Sequence, residues 1–444
     1  MRIKLVKSST LDLLSGAGLN LVGQILERHT ALRRDLNRQF PKQPHGLGTG
    51  DVVTAYLLSL CTGKSDFEAV SRLDEHVLGP ESVGLKAFPS PVTVRQRMDE
   101  GADLYLHYVQ KAAVDVLLNA KAPVTPLSTG HVALDADVTP LDNSNTQKEG
   151  IGWTYKQVAG FAPIAAYLGQ EGWCLGFELR EGTQHCQNDT PQFLRRAIQA
   201  ARRVTEQPLL VRLDGGNDAM ENYALFQETG VDYLVKHNWR RENPAAWEEK
   251  ARALPESAWS SPRDGKRVAR LSEWCERIYK DGEREVVVKF RMVMEVVERS
   301  IDRKGNVLMM PITEVDAWIT SLDLAEEAVI GLYKDHGTSE QFHSEMKSEL
   351  DLERLPSGKF ATNALILELG ALAYNVLRLM GQLGLDGYAQ RHPTKRRRIR
   401  TVIQELLYIA ARVVHSGRAT FLQFGRRCRV FDRLLALQAR LCPA

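Results

Sequence analysis

From residue 131 to residue 235 the apolar residues change from helical to strand-like spacing, and the order of the segments they form restricts the fold more than any other feature of the chain. Residues 131–138, 162–168 and 174–179 are short apolar runs set close together, the pattern of an antiparallel meander. A helical stretch over 190–203 follows, then a strand over 209–213, a helix over 219–229 and a strand over 231–235. The order βββαβαβ predicts a mixed α/β sheet, because a strand reached through a helix returns parallel to its neighbour.

The flanks read differently. Residues 1–125 carry helical spacing, with a break at Ala87-Phe88-Pro89-Ser90-Pro91 and then a short basic segment around Arg95 and Arg97. That segment suits either an ordinary surface helix or a recognition helix laid against DNA. The core sheet spans 126–236. Residues 237–323 are β-rich and hold Trp247, Trp259, Trp274 and Trp318, which predicts an inserted β subdomain. Helical spacing returns over 324–385, where 360–382 is apolar enough to lie in the core. Residues 386–444 form a basic, helical C-terminal region.

Charge follows the same division. Residues 391–444 hold 13 Lys and Arg against Glu405 and Asp432, a net +11, so the first 390 residues carry −8 of the overall +3. An apolar content of 43% excludes a disordered chain. The most apolar stretch, 361–379, is interrupted by Asn363, Glu368, Asn375 and Arg378, which argues against a membrane span and a membrane partner. The six cysteines form no C-x-x-C pair, so neither a zinc site nor a disulfide scaffold is expected. With no signal-peptide pattern at the N-terminus, a cytoplasmic location is expected.

Two predicted strands end in acid, at Leu134-Asp135-Ala136-Asp137 and at Arg212-Leu213-Asp214-Gly215-Gly216. Carboxylates held at strand ends, with glycines beside them, can bind a hard divalent cation, although such acids are also common turns and caps. Farther on, Tyr333, His336, Glu340 and Lys347 follow one another at intervals of three, four and seven. On a single helix those intervals place all four side chains on one stripe.

Taken together these segments resemble the bacterial insertion-sequence transposases of the DDE type that carry a Tyr-Arg-Glu-Lys signature. Within the insertion sequence four-like group the likeness is greatest to the insertion sequence thirteen-eighty family. The resemblance covers most of the chain and is carried by LDADVT, LREGTQH, VRLDGG, YKDHGTSEQFHSEMK, LPSGKFATNALILELGALAYNVLR and KRRRIRTVIQELLYIAARVV. One position departs from it, since His336 stands where the signature has Arg. The resemblance implies a ribonuclease-H-like core, of the retroviral-integrase superfamily, in which Asp137, Asp214 and Glu340 bind two Mg²⁺ ions, with Mn²⁺ able to substitute. Asp135 is the alternative first acid; the Asp-x-Thr form of the family favours Asp137.

The implied reaction is cut-and-paste transposition by strand cleavage and strand transfer at terminal inverted repeats, through a hairpin. Double-stranded DNA, target DNA and a homodimer are the implied partners, in a nucleoid-associated bacterial protein. Tyr333, His336 and Lys347 would contact phosphate beside the acids. Arg95, Arg97 and the run Lys395, Arg396, Arg397 and Arg398 would hold DNA farther away. Hairpins require an extruded base, for which Trp318 is the stacking candidate. A nuclease or resolvase without strand transfer, or a DNA-binding protein whose catalysis has decayed, are the alternatives.

Overall fold

The computed structural model describes residues 8, 10–40, 46–239, 243–282, 284–302, 304–387, 396–417 and 419–443. Helices α1 (Leu19–His29), α2 (Leu32–Gln39), α3 (Thr49–Cys61) and α4 (Pro91–Asn119) build the N-terminal region. Ser90 starts α4 by accepting the Thr93 N–H on its hydroxyl at 3.2 Å, and Pro91 occupies the first helical position, where no N–H is needed. The basic segment around Arg95 is therefore not a short helix of its own but the opening of one of 29 residues. Arg95 is exposed and lies over the Phe67 ring, while Arg97 donates to the Thr49 hydroxyl at 2.8 Å.

One sheet of nine strands runs through the molecule: β1 (Val132–Val138), β2 (Ile164–Leu168), β3 (Trp173–Glu178), β4 (Leu209–Leu213), β5 (Asp232–Lys236), β6 (Trp259–Arg263), β7 (Lys266–Asp281), β8 (Arg284–Ile301) and β9 (Val307–Thr320). In space the order is 6-7-8-9-5-4-1-2-3. β1, β2 and β3 form an antiparallel meander, and β4 and β5 lie parallel to β1. Helices α5 (Thr190–Val204) and α6 (Met220–Thr229) make the two crossovers. The predicted βββαβαβ core is present.

The β-rich segment after β5, expected as an inserted subdomain, continues the core sheet. Helix α7 (Ala245–Arg252) leads into four strands that extend the same sheet, because Trp318, Ile319 and Thr320 of β9 pair with Lys236, Val235 and Leu234 of β5. Long runs of alternating β-branched and charged residues keep β7, β8 and β9 extended for 16, 18 and 14 residues.

Helices α8 (Glu326–Lys334) and α9 (Ser339–Glu349) then precede α10 (Phe360–Gly384). The length and apolarity of α10 would suit a membrane span, but 94% of its most apolar window is buried inside the protein. It is a core helix packed against α4, α3 and β3. Two of its deepest polar side chains tie it to its neighbours. Asn375 donates to the carbonyls of Ala113 and Cys174 and accepts the Cys174 N–H, tying α10 to both α4 and β3. Arg378 reaches Glu345 of α9 and the Tyr374 hydroxyl.

The C-terminal region is not wholly helical. Residues Ala411–Ser416 and Ala419–Phe424 form a hairpin whose first strand pairs with Leu13–Leu14 from the other end of the chain, and helix Phe431–Leu441 closes the fold. Of the basic run, Arg398 is paired with Glu349, Arg396 donates to the Gln341 side chain and lies over Phe342, and Arg397 reaches the Leu385 carbonyl. Lys395 lies outside the described residues.

Candidate functional site

Parallel pairing of β1 with β4 brings the two acidic strand ends side by side. In that register Asp135 is opposite Arg212 and Ala136 is opposite Leu213, so Asp137 and Asp214 emerge together at the C-terminal edge. Asp135 and Asp137 point to the same side of the strand, as residues two apart must. Their surroundings separate them.

Asp135 is buried and fully engaged. Arg212 donates to both its oxygens, from Nε to Oδ1 at 2.6 Å and from Nη2 to Oδ2 at 2.7 Å, and His336 Nδ1 lies 3.0 Å from Oδ1. Burial alone would raise its pKa, but the charges and hydrogen bonds of Arg212 and His336 hold it down at about 2. Arg212 also donates to the Leu332 carbonyl, which fixes the end of α8 over the strands. Asp137, with its side chain 23% exposed, faces a cavity of about 890 Å³. Its pKa is pushed up to about 6, first by burial and then by the charge of Asp214, against weaker opposition from His336 and Lys156.

Asp214 accepts the Gly216 N–H and the Asn217 amide on Oδ1 at 3.1 and 3.0 Å. A Cβ on Gly216 would come within 3.2 Å of that oxygen. The glycines therefore let the loop close over its own acid. Glu340 is an exposed residue on the first turn of α9 and lines the same cavity.

The predicted stripe on one helix is broken. α8 ends at Lys334, residues Asp335–Thr338 form a 3₁₀ turn, and α9 begins at Ser339. The turn carries His336 inward, where 6% of its surface is exposed and it meets Asp135. His336, expected at DNA phosphate from its place in the signature, thus makes an internal contact as well: its Nδ1 holds the buried acid. Tyr333, His336 and Lys347 still line the cavity with Glu340. Lys347 donates to the Pro140 carbonyl and has Glu353 at 4.0 Å.

Trp318 does not offer a base-stacking face. It is 2% exposed, packs with Leu210, Leu234 and Val293, and has the Lys236 ammonium over its ring at 4.7 Å. The tryptophan closes the joint between β5 and β9 instead.

Other side chains at the cavity went unmarked in the sequence: Tyr155, Lys156, Lys236, Glu295, Asp316 and His343. Tyr155 is 62% exposed, its hydroxyl donates to the Val138 carbonyl, and burial of that hydroxyl raises its pKa to about 12. Lys156 sits next to it in the turn between Trp153 and Ala159. His343 was legible in principle, since a residue three beyond Glu340 shares its helical face. Burial, reinforced by Lys347, His336 and Lys156, lowers its pKa to about 3 and keeps the ring neutral.

A pair of hard carboxylate oxygens on adjacent strand ends, one of them resisting ionisation through burial and the charge of the other, is a donor set suited to a divalent cation. Among the described residues no three metal-ligating side chains converge, so Glu340 shares the cavity without joining the pair.

Acids at the edge of this mixed sheet thus face a cavity that also presents Lys347 and Lys156. The chain belongs to the transposase DDE domain group 1 family, whose sequence model matches residues 11–444. Membership makes it a transposase, an enzyme that cleaves DNA and transfers strands, of a kind that generally uses divalent metal ions. Among solved structures, the piggyBac transposase synaptic complex with hairpin DNA aligns with a TM-score of 0.42 at 11% identity, over 88% of this chain and 79% of that one. No curated protein sequence matches the chain.

Proposed function

We propose that the protein moves an insertion sequence by cut-and-paste transposition, cleaving DNA at terminal inverted repeats through a hairpin and joining the freed ends to target DNA. Asp137, Asp214 and Glu340 are its three catalytic carboxylates. The observation that carries this reading is the facing pair Asp137 and Asp214 on parallel neighbours, where Asp214 helps to hold Asp137 up to about 6. The strand order 3-2-1-4-5 around β1 supports the ribonuclease-H-like core that the sequence resemblance implies.

Asp137 and Asp214 would hold Mg²⁺, or Mn²⁺ in its place, with Glu340 completing the set for a second ion. When bound, two such ions would supply an activated water or 3′-hydroxyl and a stabilised leaving oxygen. The protein's own contribution is position. Asp135, neutralised by Arg212 and His336, keeps the first strand fixed without competing for the cation. Lys347, anchored on the Pro140 carbonyl, and Tyr333 stand on the cavity wall where a scissile phosphate would lie. Arg95 and the C-terminal arginines hold the flanking duplex, and a homodimer brings the two ends together.

The test is cleavage of intact and pre-cleaved repeat-end DNA in Mg²⁺ by the wild type and by Asp214→Ala. Cleavage with joining of 3′-OH ends into plasmid is expected for the wild type and none for the variant. Cleavage by the variant dismisses the carboxylate assignment, and cleavage without joining by the wild type makes the protein a nuclease.

A further inference from the structure

Beside Asp137 the cavity wall holds a side chain that the reading above does not use. His343 lies on α9 one turn beyond Glu340 and is 4% exposed. Its Nε2 is 3.8 Å from Asp137 Oδ2, and its Nδ1 is 3.4 Å from the Tyr167 hydroxyl. Nε2 is buried without a hydrogen-bond partner. An unpaired polar atom in the interior carries a desolvation cost that an apolar ring of similar size would not.

The proton's place follows from the two neighbours. The Asp137 carboxylate in front of Nε2 favours the N–H there, which leaves Nδ1 to accept from the enclosed Tyr167 hydroxyl. A neutral imidazole that accepts at Nδ1 carries its N–H at Nε2. That N–H points toward a carboxylate, which can only accept. The separation is about 1 Å beyond hydrogen-bond length, a gap that a small movement of Asp137 closes.

We infer that His343 is a positioning residue for the first acid: its Nε2–H takes Asp137 Oδ2 when the carboxylate ligates a divalent cation, so that Tyr167, His343 and Asp137 form one hydrogen-bonded chain from the core to the metal. The inference rests on the proposed metal-binding role of Asp137. It also accounts for the orphaned nitrogen, whose partner arrives with the ion. Outer partners of this kind orient a ligand, and their loss weakens metal binding about 10- to 100-fold.

The experiment compares His343→Phe, which keeps a ring and removes the donor, with His343→Gln, whose amide nitrogen stands near the place of Nε2. Mn²⁺ binding to the full-length protein is measured by titration calorimetry without DNA, and thermal unfolding is measured in chelator. H343F is expected to melt at or above the wild-type temperature and to bind Mn²⁺ about tenfold more weakly, with H343Q returning to within about threefold. Unchanged Mn²⁺ affinity in H343F at an unchanged melting temperature overturns the inference. Equal weakening in both variants overturns it too, because packing and not the N–H would then be the cause. If H343F melts well below the wild type, Tyr167→Phe decides, since it removes only the hydroxyl bonded to Nδ1. Mn²⁺ binding weakened about threefold in Y167F supports the chain of bonds, and unchanged binding overturns it. Wild-type protein that binds no Mn²⁺, with Asp214→Ala indistinguishable from it, removes instead the metal reading beneath the inference.

Discussion

Two aspartates on one strand face the same way and differ only in their company. Asp135 has Arg212 directly across the register and His336 above it, whereas Asp137 has the like charge of Asp214. Removing one partner from a buried pair strands the other, so Asp135→Asn should cost about 3–5 kcal/mol in urea melts. Asp137→Asn should leave the melt unchanged or raise it, because it relieves repulsion, while cleavage of repeat-end DNA is lost. Both acids were legible as candidates from the spacing of the sequence, but what tells them apart was not: Arg212 is 77 residues away and only strand pairing brings it to Asp135.

A third buried acid supplies a pH test. Glu368 of α10 accepts from the Gln110 amide at 2.9 Å, and burial raises its pKa from 4.5 to about 7. Between those values the folded protein holds a proton that the unfolded chain has released. Stability from this group is therefore full below about pH 4, falls as pH rises to about 7, and is flat above. Glu368→Gln should match the wild type near pH 4 and exceed it by about 2–4 kcal/mol at pH 8, read from denaturant melts at each pH.

At the scale of elements, the joint between β5 and β9 and the turn between α8 and α9 decide how the site is built. Trp318 fills the first. Trp318→Ala should cost about 3–5 kcal/mol and lower nicking and hairpin formation together, whereas Trp318→Phe should retain most of both. Loss of hairpin formation alone, with nicking intact, would restore a stacking role. The second joint shows where periodicity misleads. Intervals of three, four and seven fit a continuous helix, yet Asp335-His336-Gly337-Thr338 is a run of weak helix formers, and the pull of Asp135 on His336 turns it inward. The β-rich stretch was plain from alternation, but its continuity with the core depends on three residue pairs that no local pattern marks.

For the molecule as a whole, the basic residues of the C-terminal region divide into those turned to the protein and those turned to solvent. The run Arg396 to Arg398 makes contacts within the protein, whereas Arg426, Arg427 and Arg429, in the loop after the C-terminal hairpin, are exposed. Replacing those three by Ala should reduce the slope of log affinity against log salt by about 3 in a DNA-binding titration. The hairpin itself escaped sequence reasoning because its strands are six residues each and its third partner, Leu13–Leu14, lies almost 400 residues earlier. The mixed core was legible because each of its elements announces its period within a few residues.

The long strands also set a distance. From Asp316 at the cavity to Val307 at its far end, β9 runs nine residues, about 30 Å at the rise of an extended chain. That is close to one turn of duplex DNA. Val307, Met309 and Met310, all strongly exposed, lie at that far end. On the proposed function, a duplex cut at the cavity and lying along β9 would meet these residues nearly a full helical turn from the cut bond, and a footprint would then show protection at two places on one face of the duplex.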